Sequence, residues 1–183
     1  LASGWATTAI ADPLLVGSTA SASRSETGGN PGAFRSLTHQ LAPDAVARSV
    51  RLFNTALSAT YDPATQGAIY VIEFLEDCTN VTTADGLAFT LPMIEQGGRR
   101  YTPPDGFRSS CFSPGWYSKR FPSSRSADYF VLADGPACGA GESCPDFSAS
   151  GAPIRFGFVS GAQLSDGTLG GGVSRRTYGI DNW

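Results

Sequence analysis

The sequence predicts an all-β protein: a two-sheet antiparallel β-sandwich of the jelly-roll kind, with minimal helix, as a single domain over residues 1–183. Three observations carry that expectation. The 22 glycines and 12 prolines are spread along the chain instead of gathered in a linker, which suits many short strands joined by turns. Apolar residues recur at a spacing of two in short runs, the periodicity of strands with one face turned inward. No internal repeat with a period of about 20 to 50 residues is visible, which excludes a solenoid or propeller. With 41% hydrophobic and 16% charged residues, the chain has the apolar content for a core and too little charge for long exposed helices.

Taken in order, the first strand expected is 33–41, A-F-R-S-L-T-H-Q-L, with Ala33, Arg35, Leu37, His39 and Leu41 on one side and Phe34, Ser36, Thr38 and Gln40 on the other. A-P-D-A-V-A-R-S, from Ala42, is the one candidate helical turn, with Asp44 placed to cap it. The strand at 50–61 ends in Y-D-P-A-T-Q-G, where Pro63 and Gly67 predict a hairpin or tight connection. Next, A-I-Y-V-I-E-F-L-E-D at 68–77 reads as a central strand, with Ala68, Tyr70, Ile72, Phe74 and Glu76 on one face. Residues 86–96 form a further run in which Pro92 lacks a ladder donor and predicts an edge or a bulge.

A strand at 99–102 precedes a Pro-, Gly- and Ser-rich stretch at 103–114, expected to be a long surface loop tethered by Cys111. Later strands are expected at 115–120, 128–132, 154–160 and 174–180, roughly nine or ten in all. The stretch 161–173 holds five glycines and no aromatic residue, and is expected to be a mobile loop.

Four cysteines fit two disulfides, and spacing alone leaves three pairings open. Cys138 with Cys144, closing C-G-A-G-E-S-C, and Cys78 with Cys111, joining distant segments, are the pairs expected. Zinc is disfavoured because the thiols lack close pairwise spacing and His39 is the single histidine. Disulfides imply an oxidising compartment, hence an extracellular or secreted protein. A net charge of −3 without a basic block excludes the electrostatic footprint of a nucleic-acid binder. No run approaches the roughly 18 apolar residues of a transmembrane segment. The start at Leu1 carries neither an initiator Met nor a signal-peptide core, so the chain is expected to be processed or trimmed.

G-N-P-G-A-F-R at 29–35, Y-D-P-A-T-Q-G-A-I at 61–69 and G-I-D-N-W at 179–183 resemble secreted bacterial β-sandwich domains, similar to concanavalin-like or galactose-binding-like jelly-roll modules. The resemblance spans most of the chain and rests on turns and strand ends, which report fold ahead of activity. It implies carbohydrate binding, and a structural calcium ion near the last strand with Asp181 as the one ligand that carries over.

Exposed aromatics are the natural contacts for a sugar ring, because a flat ring offers apolar area at little entropy cost. Tyr101, Trp116 and Tyr117 flank the 103–114 stretch and are the predicted ligand-binding trio. Trp5 and Trp183 are expected to pack on each other as structural residues. Asn80-Val81-Thr82 is an N-glycosylation sequon.

Catalysis has weaker support. A glycosidase needs paired carboxylates, and Glu73, Glu76 and Glu95 are the candidates. Glu73 shares a face with Ile69, Val71 and Leu75, a setting that raises a carboxyl pKa by desolvation. Concanavalin-like glycosidases carry E-x-D-x-x-E, whereas Glu73 to Asp77 reads E-F-L-E-D, and the acids are expected on a solvated sheet face instead. A serine triad would have to recruit His39, and no G-x-S-x-G accompanies it.

The expected function is therefore a non-catalytic extracellular module that binds carbohydrate or a cell-surface polymer, with no cofactor. The alternative is a self-assembling structural subunit of a fibre, coat or matrix, joined through edge strands or termini. A glycan-cleaving hydrolase using Glu73 and Glu95 ranks third.

Overall fold

The computed structural model describes residues 4–11, 17–42, 49–82, 87–104, 109–111, 113–131, 138, 144–163 and 174–183. Among them the chain forms twelve strands: β1 (Trp5–Ala11), β2 (Thr19–Gly29), β3 (Gly32–Leu41), β4 (Ser49–Tyr61), β5 (Leu75–Asn80), β6 (Leu87–Gln96), β7 (Arg99–Thr102), β8 (Ser109–Ser110), β9 (Tyr117–Arg120), β10 (Phe130–Val131), β11 (Ile154–Gln163) and β12 (Ser174–Asp181). Among the described residues, helix is confined to the single turn α1 (Pro63–Gln66) and a 3-10 turn at Ser126–Asp128.

One sheet has seven strands in the order β1-β4-β11-β6-β7-β10 with β8 also on β6, and the other has five in the order β2-β3-β12-β5-β9. Every pairing is antiparallel. The winding defines a jelly roll: β12 returns to lie between β3 and β5, and β11 returns to lie between β4 and β6. The all-β sandwich expected from the sequence is the fold.

Between the sheets, Leu37, Cys78, Tyr178 and Ile180 from the five-stranded side meet Leu52, Ala88 and Phe158 from the other. The β3 alternation is real: Leu37 and His39 are fully buried and Leu41 is 2% exposed. His39 stacks on Tyr178 at 5.5 Å, and burial pushes its pKa down to about 4. It is a neutral core residue.

Cys78–Cys111 and Cys138–Cys144 are bonded, the expected pairs. Gly157 sits where the β11–β4 register shifts, and a Cβ there would lie 2.2 Å from the Asn54 carbonyl oxygen, so only glycine fits the bulge.

Four expectations need correction. Residues 68–74 are not part of a strand: β5 begins at Leu75, and the only pairing before it is an isolated bridge from Ile72 to Ser124. Y-D-P-A-T-Q-G makes a helical turn instead of a hairpin, because Asp62 accepts from the Ala64 N–H at 3.0 Å and Pro63 starts the turn, and the chain then crosses to the other sheet. Pro92 is on an interior strand. It stands opposite Phe158, and on the far side of β6 it falls between the residues paired with β8 and those paired with β7, where no ladder is interrupted. β11 continues through Gly161 to Gln163, and the rest of the expected loop at 164–173 lies outside the described residues, as does the turn at 43–48. β1 and β2 were not anticipated.

Candidate functional site

The crossing from β4 to β5 builds an open groove. Residues 68–74 are held along one side: the Ile69 N–H donates to Phe147 O at 2.8 Å, Ile72 exchanges backbone bonds with Ser124, and the Phe121 N–H donates to Phe74 O at 2.9 Å. The even positions Ile72, Phe74 and Glu76 turn inward, each 7% exposed or less, while Tyr70 is 74% exposed. The open cavity beside this segment has a volume of about 680 Å³, within the usual range for ligand sites.

Five aromatic residues line it: Tyr61, Tyr70, Phe74, Phe156 and Trp183. Val71 and Leu75 add exposed apolar surface. Tyr61 is fixed by its hydroxyl, which donates to the Gln66 and Gly67 carbonyls. Tyr70 carries the Arg125 guanidinium over its ring at 4.9 Å. Among the described residues its hydroxyl has no partner. Trp183 is wedged against Trp5 at 5.0 Å and Phe74 at 6.0 Å, so β1 and the end of the chain meet across the sandwich.

Glu73 is the charged group in the groove. Its carboxylate accepts from Arg120 at 2.7 Å and Ser123 at 3.0 Å, and the Arg120 hydrogen bond, followed by Ser123, holds its pKa below the ordinary carboxylate value. The expected upward shift is reversed, because the side chain is at the surface with a cation on it.

Glu76 took the burial instead. It is 2% exposed, accepts from the Thr90 hydroxyl, and is pushed up to about 7 by desolvation, with Lys119 nearby. The expectation of a solvated face fails for it. Glu95 pairs with Arg100 and Arg155 at 3.4 and 3.6 Å and does not line the groove that Glu73 lines.

Beside the groove the first and last quoted motifs meet. The Asn30 N–H donates to Asp181 Oδ2 at 2.5 Å, and Asn30 and Asn182 both donate side-chain amides to Asp77 Oδ2, at 3.1 and 2.7 Å. The Asn182 amide also reaches Asn30 O. Hydrogen bonds from Ser118, then Asn182 and Asn30, hold the Asp77 pKa below its ordinary value. Gly29 is required here, since a Cβ would lie 2.7 Å from Asp181 Oδ2.

This knot does not fit the calcium that the resemblance implied. Asp181 faces N–H donors, from Asn30 and Asn182, where calcium needs about six to eight oxygens. Among the described residues the one cluster of metal-ligand types is Glu76, Cys78 and Cys111, and its two cysteines are spent on each other.

The predicted trio is spread over three environments. Tyr101 is 3% exposed and packs with Ile94, Phe121 and Tyr129. Trp116 stands edge-on to Phe34 at 5.3 Å and donates its indole N–H to Gly28 O at 2.8 Å. Tyr117 packs on the other core cluster, with its hydroxyl on Ser110 O and Lys119 over its ring.

The groove residues were missed because the alternation grouped Tyr70 with Ile72 on one face of a strand, whereas the structure buries Ile72 and leaves Tyr70 exposed. A signal was present: 68–72 is apolar on both parities, which a strand with one wet face does not tolerate.

No protein-family model and no curated protein matches the sequence. Among solved structures, a carbohydrate-binding module from a study of promiscuous specificity in the β-sandwich superfamily superposes with a TM-score of 0.49 at 8% identity, over 97% of this chain and 55% of that one. The chain thus spans about half the length of that structure. A mannan-recognising carbohydrate-binding module superposes with a TM-score of 0.36 at 11% identity, over 96% of each chain. Likenesses this distant carry no argument about fold or ligand. The sandwich assignment rests on the two sheets described above.

Proposed function

We propose that this chain is a non-catalytic, extracellular carbohydrate-binding module whose ligand lies in the groove beside residues 68–74. The observation that carries the reading is the groove itself: about 680 Å³, with Tyr70 74% exposed and Trp183 at its base. A pyranose ring has apolar C–H faces and a rim of hydroxyls. Tyr70 and Trp183 answer the faces, and the Glu73 carboxylate and free Tyr70 hydroxyl answer the rim. Glu73, held ionised by Arg120 and Ser123 and with no second carboxylate among the described residues lining the groove, answers as an acceptor. Two disulfides fit the oxidising surroundings in which such modules work.

Affinity electrophoresis against a panel of soluble polysaccharides tests this. Retention by at least one polymer is expected, with Tyr70→Ala weakening it about tenfold or more. Trp116→Ala serves as comparator: loss there with Tyr70→Ala unaffected would move the ligand to the Trp116–Tyr117 surface. Light scattering on the same sample separates the structural-subunit reading, which requires ordered polymers in place of a monomer.

A further inference from the structure

A second cavity, of about 380 Å³, adjoins the groove. Asn182 and Trp183 line both, with Phe74 against the indole on the groove side and Trp5 against it on the other. Its character is different, because Arg24 and Arg35 reach into it. The two arginines stand directly opposite each other in the β2–β3 register, so both side chains rise from the same face of the sheet. Like charges in that position repel.

Arg24 has Glu26 at 3.3 Å, but Arg35 has neutral company: Nε donates to Asn54 Oδ1 at 3.0 Å, Nη2 donates to the Thr7 hydroxyl, and the guanidinium lies over Trp5 at 5.0 Å. Among the described residues nothing bonds its Nη1 amino group. Burial pushes its pKa down to about 10, which leaves it charged at neutral pH. Asp181, the one carboxylate among the described residues lining the cavity, is engaged by the Asn30 and Asn182 backbone N–H groups. A partly buried cation without a carboxylate partner, fixed by neutral acceptors at the wall of a cavity, is organised to receive an anion.

We propose that this cavity receives the carboxylate of a uronic-acid residue on Arg35, assisted by Arg24, while the adjoining residue of the same polysaccharide occupies the groove across Trp183. A planar guanidinium with an open N–H edge matches a planar carboxylate, and Trp5 and Trp183 flank it with ring surface for the sugar. The inference rests on the groove being a carbohydrate site.

Calorimetric titration of the full chain with galacturonate, glucuronate, mannuronate and guluronate trimers, each against its methyl ester, is the test. The ester keeps the sugar and removes the charge. At least one acid should bind about tenfold more tightly than its ester at low salt, with the margin shrinking as sodium chloride is added. Arg35→Gln should abolish the margin, and Arg24→Gln should reduce it. Tyr70→Ala should weaken acid and ester alike.

The proposal is overturned if no acid outbinds its ester, or if the margin survives in both arginine variants. Should Arg35→Gln fail to fold, the exposed Arg24→Gln decides. Binding of an ester with no gain for its acid would sink this inference and leave the groove reading standing. An acid margin that Tyr70→Ala leaves untouched, together with unchanged overall affinity, would instead sink the groove reading and, with it, the placement of the adjoining sugar across Trp183.

Discussion

Trp183 and Gly157 show how far single residues bear on this fold. The Trp183 indole fills the junction between groove and cavity, yet among the described residues its buried N–H has no hydrogen-bond partner. Removing an unsatisfied donor while keeping a flat ring offsets the lost area. Trp183→Phe is therefore expected to change stability by less than about 1 kcal/mol, and Trp183→Ala to cost about 3 kcal/mol, read from urea midpoints. At Gly157 a methyl group would strike backbone, which cannot step aside as a side chain can. Gly157→Ala should cost about 3 kcal/mol or more, or prevent folding, with soluble yield and thermal melting as readouts.

At the scale of elements, the hairpin joining β2 to β3 is tied down by the chain's final turn, through Asn30, Asp77, Asp181 and Asn182. Asn30→Ala removes the one side-chain donation, to Asp77, without disturbing the backbone, and a loss of about 1 to 2 kcal/mol is expected by urea unfolding. The disulfides should rank by the loop each closes: Cys78–Cys111 spans 33 residues and Cys138–Cys144 spans 6, giving about 4 and about 2 kcal/mol in a loop-entropy treatment. Paired alanine substitutions at each bridge would test that order.

Elements were the level most legible in the sequence. Strands were expected to within a few residues of β3, β4, β7 and β11, and the side of β3 that groups Leu37, His39 and Leu41 is the buried one. Residues 68–77 misled because inward alternation continues from Ile72 to Glu76 through a segment that only bridges to Ser124 before β5 begins. The groove was illegible for the same reason, since its walls come from β4, β11, the crossing segment and the last two residues, a meeting that no local pattern encodes. The opposition of Arg24 and Arg35 likewise needs the β2–β3 register, and β2 had not been read as a strand.

For the molecule as a whole, two buried groups set opposing responses to pH. His39 has its folded pKa pushed below the unfolded value, so the unfolded chain holds the extra proton and stability falls as pH drops from about 6.5 to about 4. Glu76 has its folded pKa pushed above the unfolded value, so the folded chain holds the extra proton and stability falls as pH rises from about 4.5 to about 7. Each is on the order of 3 kcal/mol, and over the shared window they oppose each other. Glu76→Gln should unmask the histidine: between pH 7 and pH 4.5 the variant should lose roughly 2 to 3 kcal/mol more than the parent in urea unfolding.

The position of β11 and β12 also sets the order in which this chain can become whole. Each is in the interior of its sheet, between β4 and β6 or between β3 and β5, yet both follow the other ten described strands in sequence. A ribosome that has released everything up to residue 153 has delivered the outer strands of both sheets with nothing to join them. Four bare edges, on β3, β4, β5 and β6, then wait on residues 154–181. Premature termination should consequently yield no partly folded remnant, only an aggregating chain that a peptide spanning β11 and β12, supplied in trans during refolding, would rescue.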